Sequence, residues 1–378
     1  MKKEILMTPG PSQVPPRVLA AEARPPIHHR GEEFMEIYAQ LHADLKELLR
    51  TGGDVFILGS SGTGALEACV ANSLCPGDRV IVGVAGKFGE RFALLNRAFG
   101  VEVIELKKEW GEVFTPEEIR AALEREPDIR AVFITHSETS SGVMHPIHEI
   151  GPAVAETDAV FAVDSVSAIG GLEIRIDDWK IDFLAAGSQK ALMIPAGLSF
   201  VAISEKGWKA YARSTLPKFY FDLGAYKKAL EKSGQCPYTV PVSLCIALQE
   251  SLAMMKEEGF DNVFARHVRL AEACRAGVAG MGLKFFSPNQ SYIETVFKVP
   301  DGIDGKKLVK HIRERHGVRV SGGQNPYKGR IVRIAHMGYA TEQDIILALA
   351  AVEMSLKELG WKVELGSAAK AAEEVFVR

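Results

Sequence analysis

The stretch Val160-Phe161-Ala162-Val163-Asp164-Ser165 decides the fold class, because four apolar residues in succession run into a carboxylate. An unbroken apolar run of this kind is typical of a strand that is buried on both faces of a parallel sheet. Ligands of open α/β sheets bind at the carboxyl edge of the strands. The stretch therefore predicts a central parallel strand that presents Asp164 at a ligand-binding edge.

Apolar runs and amphipathic segments alternate on both sides of this strand. Further strands are predicted at residues 54–58, 79–85, 101–106, 131–135, 183–186 and 198–203. Helices are predicted at residues 32–50, 65–74, 91–99, 116–125 and 147–156. Crossover helices between parallel strands cover both faces of a sheet. We therefore expect an α/β protein whose large, mostly parallel sheet is sandwiched by helices.

The rhythm of the sequence changes in the last third of the chain. After two long helices, at 242–257 and 263–281, the pattern predicts a compact α+β unit with strands at 293–299 and 330–335 and helices at 306–315 and 342–359. This gives an amino-terminal segment at 1–20, a large domain at 21–260 and a smaller carboxyl-terminal domain at 261–378. The tail at 361–378 is left without a role.

Composition excludes several classes of protein. The 378 residues are 47% hydrophobic and 25% charged, which is typical of a globular protein. A net charge of −3 gives no general attraction for nucleic acid. The five cysteines form no Cys-x-x-Cys pair, so neither a disulfide framework nor a metal site is indicated. The sequence shows no signal peptide and no apolar run near the ~20 residues of a membrane span. We expect a cytoplasmic protein without a membrane partner.

A glycine-rich turn connects the strand at 54–58 to the next helix. It reads Gly59-Ser60-Ser61-Gly62-Thr63-Gly64, and backbone N–H groups at such a helix start can bind phosphate. It has neither the Lys-Ser/Thr of a P-loop nor the glycine spacing of a dinucleotide fold. The alternative is a strand–helix connection without a ligand.

Three charged residues interrupt apolar surroundings. A buried carboxylate at Asp164 needs a compensating cation or hydrogen-bond donor, and a protonated pyridine nitrogen would serve, although a turn-capping Asp is the alternative. Lys190 lies between two apolar strands, where desolvation lowers the pKa of an amine and suits it to Schiff-base chemistry. A solvated loop lysine is the alternative. Arg333 interrupts the run at 330–335 and is either a carboxylate clamp or an exposed edge-strand arginine.

Together these segments resemble the class V aminotransferases of fold type I, in particular the alanine–glyoxylate and serine–pyruvate aminotransferase family. The resemblance covers nearly the whole chain, and the order and spacing of its motifs are specific. The motifs that carry it are Thr8-Pro9-Gly10-Pro11, His28-His29-Arg30, Ser61-Gly62-Thr63, Gly86-Lys87-Phe88-Gly89-Glu90-Arg91, His136-Ser137-Glu138-Thr139, Val163-Asp164-Ser165-Val166, Gly187-Ser188-Gln189-Lys190-Ala191, Tyr238-Thr239-Val240-Pro241 and the Arg333 strand.

The resemblance implies pyridoxal 5′-phosphate as cofactor and a role for each matched residue. Lys190 forms the Schiff base with the cofactor and shuttles the proton, and Asp164 pairs with the pyridinium nitrogen. Arg333 binds the substrate α-carboxylate. The remaining residues expected to contact the cofactor are Phe88, which stacks on the ring, Thr139 beside the ring, and the phosphate cup of Ser61, Gly62, Thr63 and Gln189.

The resemblance also implies a homodimer with shared active sites. Thr239 matches a residue that reaches the phosphate of the neighbouring subunit's cofactor. Some relatives carry a tyrosine three residues earlier, where this chain has Cys236, and Tyr238 is adjacent to Thr239. Both residues stay open as candidates for that contact, as does a role for His28, His29 and Arg30 near the mouth of the site.

The expected activity is ping-pong transamination between a small amino acid, alanine or serine, and a small 2-oxo acid, glyoxylate or pyruvate. Phosphoserine or aspartate are the alternative substrates, with Lys218, Lys328 and Arg30 available for a second anion. A lyase or desulfurase of the same cofactor class is a further alternative. A catalytically inactive scaffold or hydrogenase-associated subunit is the alternative outside the enzymes.

Overall fold

The structure is a computed structural model that describes residues 4–378; Met1 to Lys3, which the predicted amino-terminal segment includes, lie outside the described residues. The strands are β1 Ile5–Leu6, β2 Asp54–Leu58, β3 Arg79–Val84, β4 Glu102–Lys107, β5 Ile129–Thr135, β6 Ser137–Glu138, β7 Val143–Met144, β8 Val160–Asp164, β9 Phe183–Gly187, β10 Ser199–Ile203, β11 Glu294–Lys298, β12 Val318–Arg319, β13 Ser321–Gly322 and β14 Ile331–Ala335. The helices are α1 Pro16–Glu22, α2 Glu32–Leu48, α3 Gly62–Ala71, α4 Lys87–Ala98, α5 Pro116–Arg125, α6 Ile147–Ala155, α7 Glu205–Arg213, α8 Leu223–Ser233, α9 Val242–Glu258, α10 Phe260–Gly280, α11 Gly305–His316, α12 Glu342–Glu358 and α13 Ser367–Phe376.

Seven strands form the large sheet in the order β2-β10-β9-β8-β5-β3-β4. All of them run in one direction except β10, which pairs antiparallel with both β2 and β9. The central strand β8 is buried along its whole length. The predicted α/β class and the mostly parallel sheet are thereby confirmed.

Each face of this sheet packs into its own apolar cluster. In β8, Phe161 and Val163 join the cluster with helices α2, α5, α6 and α9, whereas Val160 and Ala162 join the cluster with α3 and α4. Successive side chains of a strand point to opposite faces, so an unbroken apolar run is what two covered faces require. This explains why the central strands could be recognised in the sequence.

A smaller α+β unit is built on the antiparallel sheet β11-β14-β13 and on helices α10 to α13. The start of the chain joins it, since β1 pairs parallel with β12 and Ala335 N donates to Met7 O at 2.9 Å. The third apolar cluster accordingly takes in Ile5 and Met7 together with residues from Leu270 onward. The division of the chain at residues 20 and 260 stays a prediction.

The tail ends in a helix that the sequence pattern did not predict. Helix α13 packs on α10 through small residues, because Ala368 and Ala372 are buried and a Cβ at Gly277 would lie only 3.0 Å from the Ala368 carbonyl. The buried Glu353 carboxylate accepts hydrogen bonds from Gly366 N and Ala368 N at 2.7 and 2.9 Å. Alanines and glycines give little hydrophobic periodicity, so the sequence carries a weak signal for this helix.

Within residues 4–378, no helix combines the length with the apolar composition that a membrane crossing requires.

Candidate active site

A cavity of about 140 Å³ lies at the carboxyl edge of the large sheet. It collects residues that follow β2, β3, β5, β8 and β9, which are far apart in sequence. Seven of the ten residues predicted for the site line it, together with five others. The lining residues are Ser61, Gly62, Thr63, Leu66, Phe88, Arg91, Ser137, Asp164, Val166, Ser167, Gln189 and Lys190.

One end of the cavity is the amino terminus of helix α3. Ser61 is the N-cap residue, its side chain makes no capping hydrogen bond, and the first N–H groups of a helix have no partner within the helix. A Cβ at Gly62 would collide with the Val166 side chain, so only glycine lets α3 approach the end of β8 this closely. Free N–H groups and the helix dipole make this end suitable for a phosphate.

Asp164 is buried in the wall of the cavity at the end of β8. Its Oδ1 accepts a hydrogen bond from Val166 N at 3.0 Å. Burial raises the pKa of Asp164 to about 6, while the charges of Lys190 and Arg91 act in the opposite direction. A cationic ring nitrogen would lower that pKa again, so the carboxylate fits a protonated pyridine.

Lys190 follows β9 and extends beneath the start of the chain. Its Nζ donates to the Pro9 carbonyl, and Ser12 Oγ donates to the Lys190 carbonyl at 2.6 Å. Gly10 has a φ of 128°, and a Cβ there would overlap the lysine side chain. Burial lowers the pKa of Lys190 to about 8, against the carboxylates of Glu294 and Asp164, which raise it. The amine is therefore enclosed and easier to deprotonate than an exposed lysine.

Arg333 and Thr139 meet each other outside the cavity lining. Arg333 lies on β14, its Nε donates to Gly322 O at 3.0 Å, and its Nη1 donates to the carbonyl of Thr139. Burial lowers the pKa of Arg333, against the carboxylates of Glu294 and Glu138. The arginine is thus buried rather than exposed at a sheet edge. The backbone carbonyl of Thr139 accepts a hydrogen bond from this arginine. The predicted contact of Thr139 with a cofactor ring stays a prediction.

Thr239 does not line the cavity and its side chain is exposed. Neighbouring groups are engaged within the chain, since Tyr238 OH donates to Phe219 O and Cys236 Sγ to Tyr238 O, each at 2.9 Å. The predicted contact of Thr239 with a second subunit stays a prediction.

The cations considered for a second substrate anion lie elsewhere. Lys218 Nζ donates to Ser214 Oγ at 2.8 Å, and Arg30 Nη1 donates to Gln235 Oε1 at 2.6 Å. Neither of them, nor Lys328, lines the cavity.

Two buried glutamates near the site were not predicted. Glu138 accepts hydrogen bonds from Phe88 N and Gly89 N at 2.9 and 3.0 Å, so it caps α4 and holds Phe88 at the cavity. Burial raises its pKa, against these donors and Ser140. Glu294 begins β11 and is fully buried. Glu294 interrupts a mostly apolar run, as Arg333 does, but that signal does not show which distant groups lie beside it. Glu138 lies in a polar stretch and gave no such signal.

The aminotransferase class-V family model matches residues 5–347. The chain belongs to this family. It is 40% identical to the soluble hydrogenase small subunit of Synechococcus sp., over 95% of the chain and 94% of that protein. It is 36% identical to the serine–glyoxylate aminotransferase of Methylorubrum extorquens, over 97% of the chain and 94% of the relative.

The class V aminotransferase fold extends over the whole chain. The crystal structure of ureidoglycine–glyoxylate aminotransferase from Bacillus subtilis superposes with a TM-score of 0.96 at 31% identity, covering 100% of this chain and 99% of that one. The predicted family, the fold and the assignment as an aminotransferase are confirmed.

Proposed function

We propose that this class V aminotransferase binds pyridoxal 5′-phosphate in the cavity and transfers an amino group between a small amino acid and a small 2-oxo acid. The observation that carries the proposal is the arrangement around one cavity of an enclosed lysine, a buried aspartate and a helix amino terminus. The lysine suits the aldehyde of the cofactor, the aspartate suits its ring nitrogen, and the helix amino terminus suits its phosphate. The residues present therefore fit the cofactor.

The carboxyl edge of the sheet would hold the cofactor at three points. Ser61, Gly62 and Thr63 would bind the phosphate through the start of α3, with Gln189 beside them. The Gln189 Oε1 atom is buried and has no partner within residues 4–378, which leaves it free for a ligand. Asp164 would keep the ring nitrogen protonated, and Phe88 would lie against the ring.

The cofactor, when bound, supplies an electron sink for the charge that develops at the substrate α-carbon. The residues of the chain supply the rest of the chemistry. Lys190 would hold the cofactor carbonyl through its side-chain amine, and the same amine would take the α-proton from the substrate and pass it on. Arg333 holds the substrate carboxylate by two hydrogen bonds and so orients the Cα–H bond. Burial of these groups keeps water away from the reacting carbon.

The donors we propose are alanine and serine and the acceptors are glyoxylate and pyruvate, in a ping-pong exchange. The named activities of relatives support this choice, since serine–glyoxylate and ureidoglycine–glyoxylate aminotransferases both use glyoxylate. We also propose a homodimer in which the exposed Thr239 reaches the cofactor of the neighbouring subunit. A non-catalytic subunit would not account for Lys190, Asp164 and Arg333 in one region of the fold.

A donor and acceptor screen tests this function. Purified protein supplied with the cofactor should form glycine from glyoxylate with alanine or serine as donor, and Lys190→Ala should reduce that rate to background. Lys180→Ala is the matched control, because Lys180 lies in a loop of the large sheet and does not line the cavity. Turnover with phosphoserine or aspartate alone would contradict the proposed substrates.

A further inference from the structure

Glu294 is a buried carboxylic acid at the start of β11. It is fully buried, and neither of its carboxylate oxygens has a hydrogen-bond partner within residues 4–378. The other buried glutamates of that range are engaged: Glu138 accepts from Phe88 N, and Glu353 from Gly366 N. A buried polar group without a hydrogen-bond partner lowers the stability of the folded state, so its presence here indicates a ligand or a function.

The strand register places Glu294 on the same face of the small sheet as Arg333. Strands β11 and β14 are antiparallel, Glu294 is opposite Ala335, and Val296 is opposite Arg333. Directly opposed residues share a face, and so do residues two apart on one strand. Glu294 and Arg333 therefore project from one face, about 7 Å apart along the strands.

Residues 138–142, at the edge of the large sheet, lie beside both side chains. Arg333 donates to the carbonyl of Thr139, and a Cβ at Gly142 would lie 3.9 Å from Glu294 Cγ. Neither Glu294 nor Arg333 lines the cavity. Glu294 and Arg333 therefore share one neighbouring segment of the large domain.

The charges of Arg333 and Lys190, the two groups proposed to hold an amino acid, both act on Glu294. Burial raises the pKa of Glu294 to about 8, and the cations that oppose this are Arg333 and Lys190. Conversely, the carboxylates of Glu294 and Asp164 both raise the pKa of Lys190. In the proposed reaction Arg333 would bind the substrate carboxylate, and the substrate amine would take the place of the Lys190 amine. The side chain of the substrate is attached to the α-carbon, which lies between its carboxylate and its amine.

We propose that Glu294 determines donor specificity by binding a side chain with a hydrogen-bonding group, a hydroxyl or an amide-type N–H, so that serine is preferred to alanine. The inference rests on the transaminase function proposed above. A hydroxyl both donates and accepts, so it pairs with Glu294 whether or not the acid is ionised. The methyl group of alanine would leave both oxygens unpaired in a dry site.

The test compares serine and alanine as donors to glyoxylate in the cofactor-loaded enzyme. Sites built to bind a hydroxyl reject analogues that lack it, and we expect kcat/KM for serine to exceed that for alanine by at least ~100-fold. Glu294→Leu should bring this ratio below ~10 mainly by lowering the serine value, since it removes both hydrogen-bonding atoms. Glu294→Gln keeps a hydrogen-bonding group and should keep most of the ratio.

Glu353→Gln is the matched control, because it changes a buried glutamate that binds the start of α13 instead of facing the site. Its ratio should equal that of the unaltered enzyme. An active enzyme that prefers alanine or aspartate, or a Glu294→Leu ratio that stays unchanged, would overturn the inference. Glu294→Met gives the same comparison if the leucine variant does not fold. Lack of transamination with every donor contradicts the proposed function instead, so the two failures are distinct.

Discussion

Burial shifts the pKa values of the lysine and the aspartate of the cavity in opposite directions. It lowers the pKa of Lys190 to about 8 and raises that of Asp164 to about 6, because in each case the charged form loses its hydration. The sequence allowed these two residues to be predicted, since each is a charged residue next to apolar strands. It did not reveal Glu294 or Arg91, because their positions depend on how distant segments pack.

The pKa of Lys190 predicts a pH dependence for cofactor uptake. Only the neutral amine attacks the cofactor carbonyl. The neutral fraction of Lys190 rises as the pH passes the pKa of this lysine, which is lower than that of an exposed lysine. The rate at which apoprotein takes up pyridoxal phosphate should therefore rise with pH through about 8 and then level off. Stopped-flow absorbance at a series of pH values measures this. A rise that continues to the pKa of an ordinary lysine would disagree with the burial seen here.

Replacement of Asp164 by Asn tests the electrostatic partner of the ring nitrogen. The amide fills the same volume but cannot stabilise a cation, so we expect kcat to fall by at least ~100-fold, the usual effect of removing a preorganised electrostatic group. Asp182→Asn is the control, since that buried carboxylate accepts from Phe161 N at 2.9 Å and does not line the cavity. Steady-state kinetics should show a large loss of kcat for Asp164→Asn and a small one for Asp182→Asn. Equal losses of kcat in the two variants would argue against the role of Asp164.

At the scale of elements, the starts of helices α3 and α4 form part of the cavity wall. The seven strands of the large sheet, together with β11 and β14, were predicted to within a few residues because most of them are apolar runs. The two-residue strands were not predicted, because such short segments carry no periodic pattern. The starts of α3 and α4 were predicted three or four residues too late, since glycines at 62, 64 and 89 weaken a helical pattern. Side chains from another segment, Glu138 and Ser140, bind the first N–H groups of α4, and no local pattern can show that.

Gly62→Ala tests the close approach of helix α3 to β8. The added methyl would overlap Val166, so the helix start would shift and its N–H groups would lose their alignment with a phosphate. We expect the Kd for pyridoxal phosphate to rise by roughly tenfold, which is the loss of about one charged hydrogen bond. Fluorescence titration of the apoprotein measures it. Gly52→Ala, whose Cβ would have no neighbour nearer than 3.8 Å, should bind as the unaltered protein does.

At the scale of the whole molecule, the small unit is closed by both ends of the described chain. Strand β1 pairs with β12, and helix α13 packs on α10 and α12. The sequence predicted an α+β unit in the last third of the chain, but it could not show that residues 5–6 return to it. Pairing between strands more than 300 residues apart leaves no local pattern.

Removal of residues 366–378 tests the contribution of helix α13 to stability. The truncation exposes apolar surface around Leu349 and takes the backbone donors away from the buried Glu353. A loss of roughly 2–5 kcal/mol in the free energy of unfolding is expected from such combined cavity and hydrogen-bond losses. Urea unfolding followed by circular dichroism measures it. Removal of Val377 and Arg378 alone should cost little, and an equal cost would show that α13 packs differently.

Reduction of the cofactor-loaded protein with borohydride tests whether Lys190 is the residue that binds the cofactor. We expect an absorbance band near ~400 nm that borohydride removes, because the cofactor would be linked to an amine as a Schiff base. Peptide mass analysis should then find the reduced cofactor on Lys190 and nowhere else. A protein that binds the cofactor without such a band, or one that carries the label on another lysine, would contradict the account.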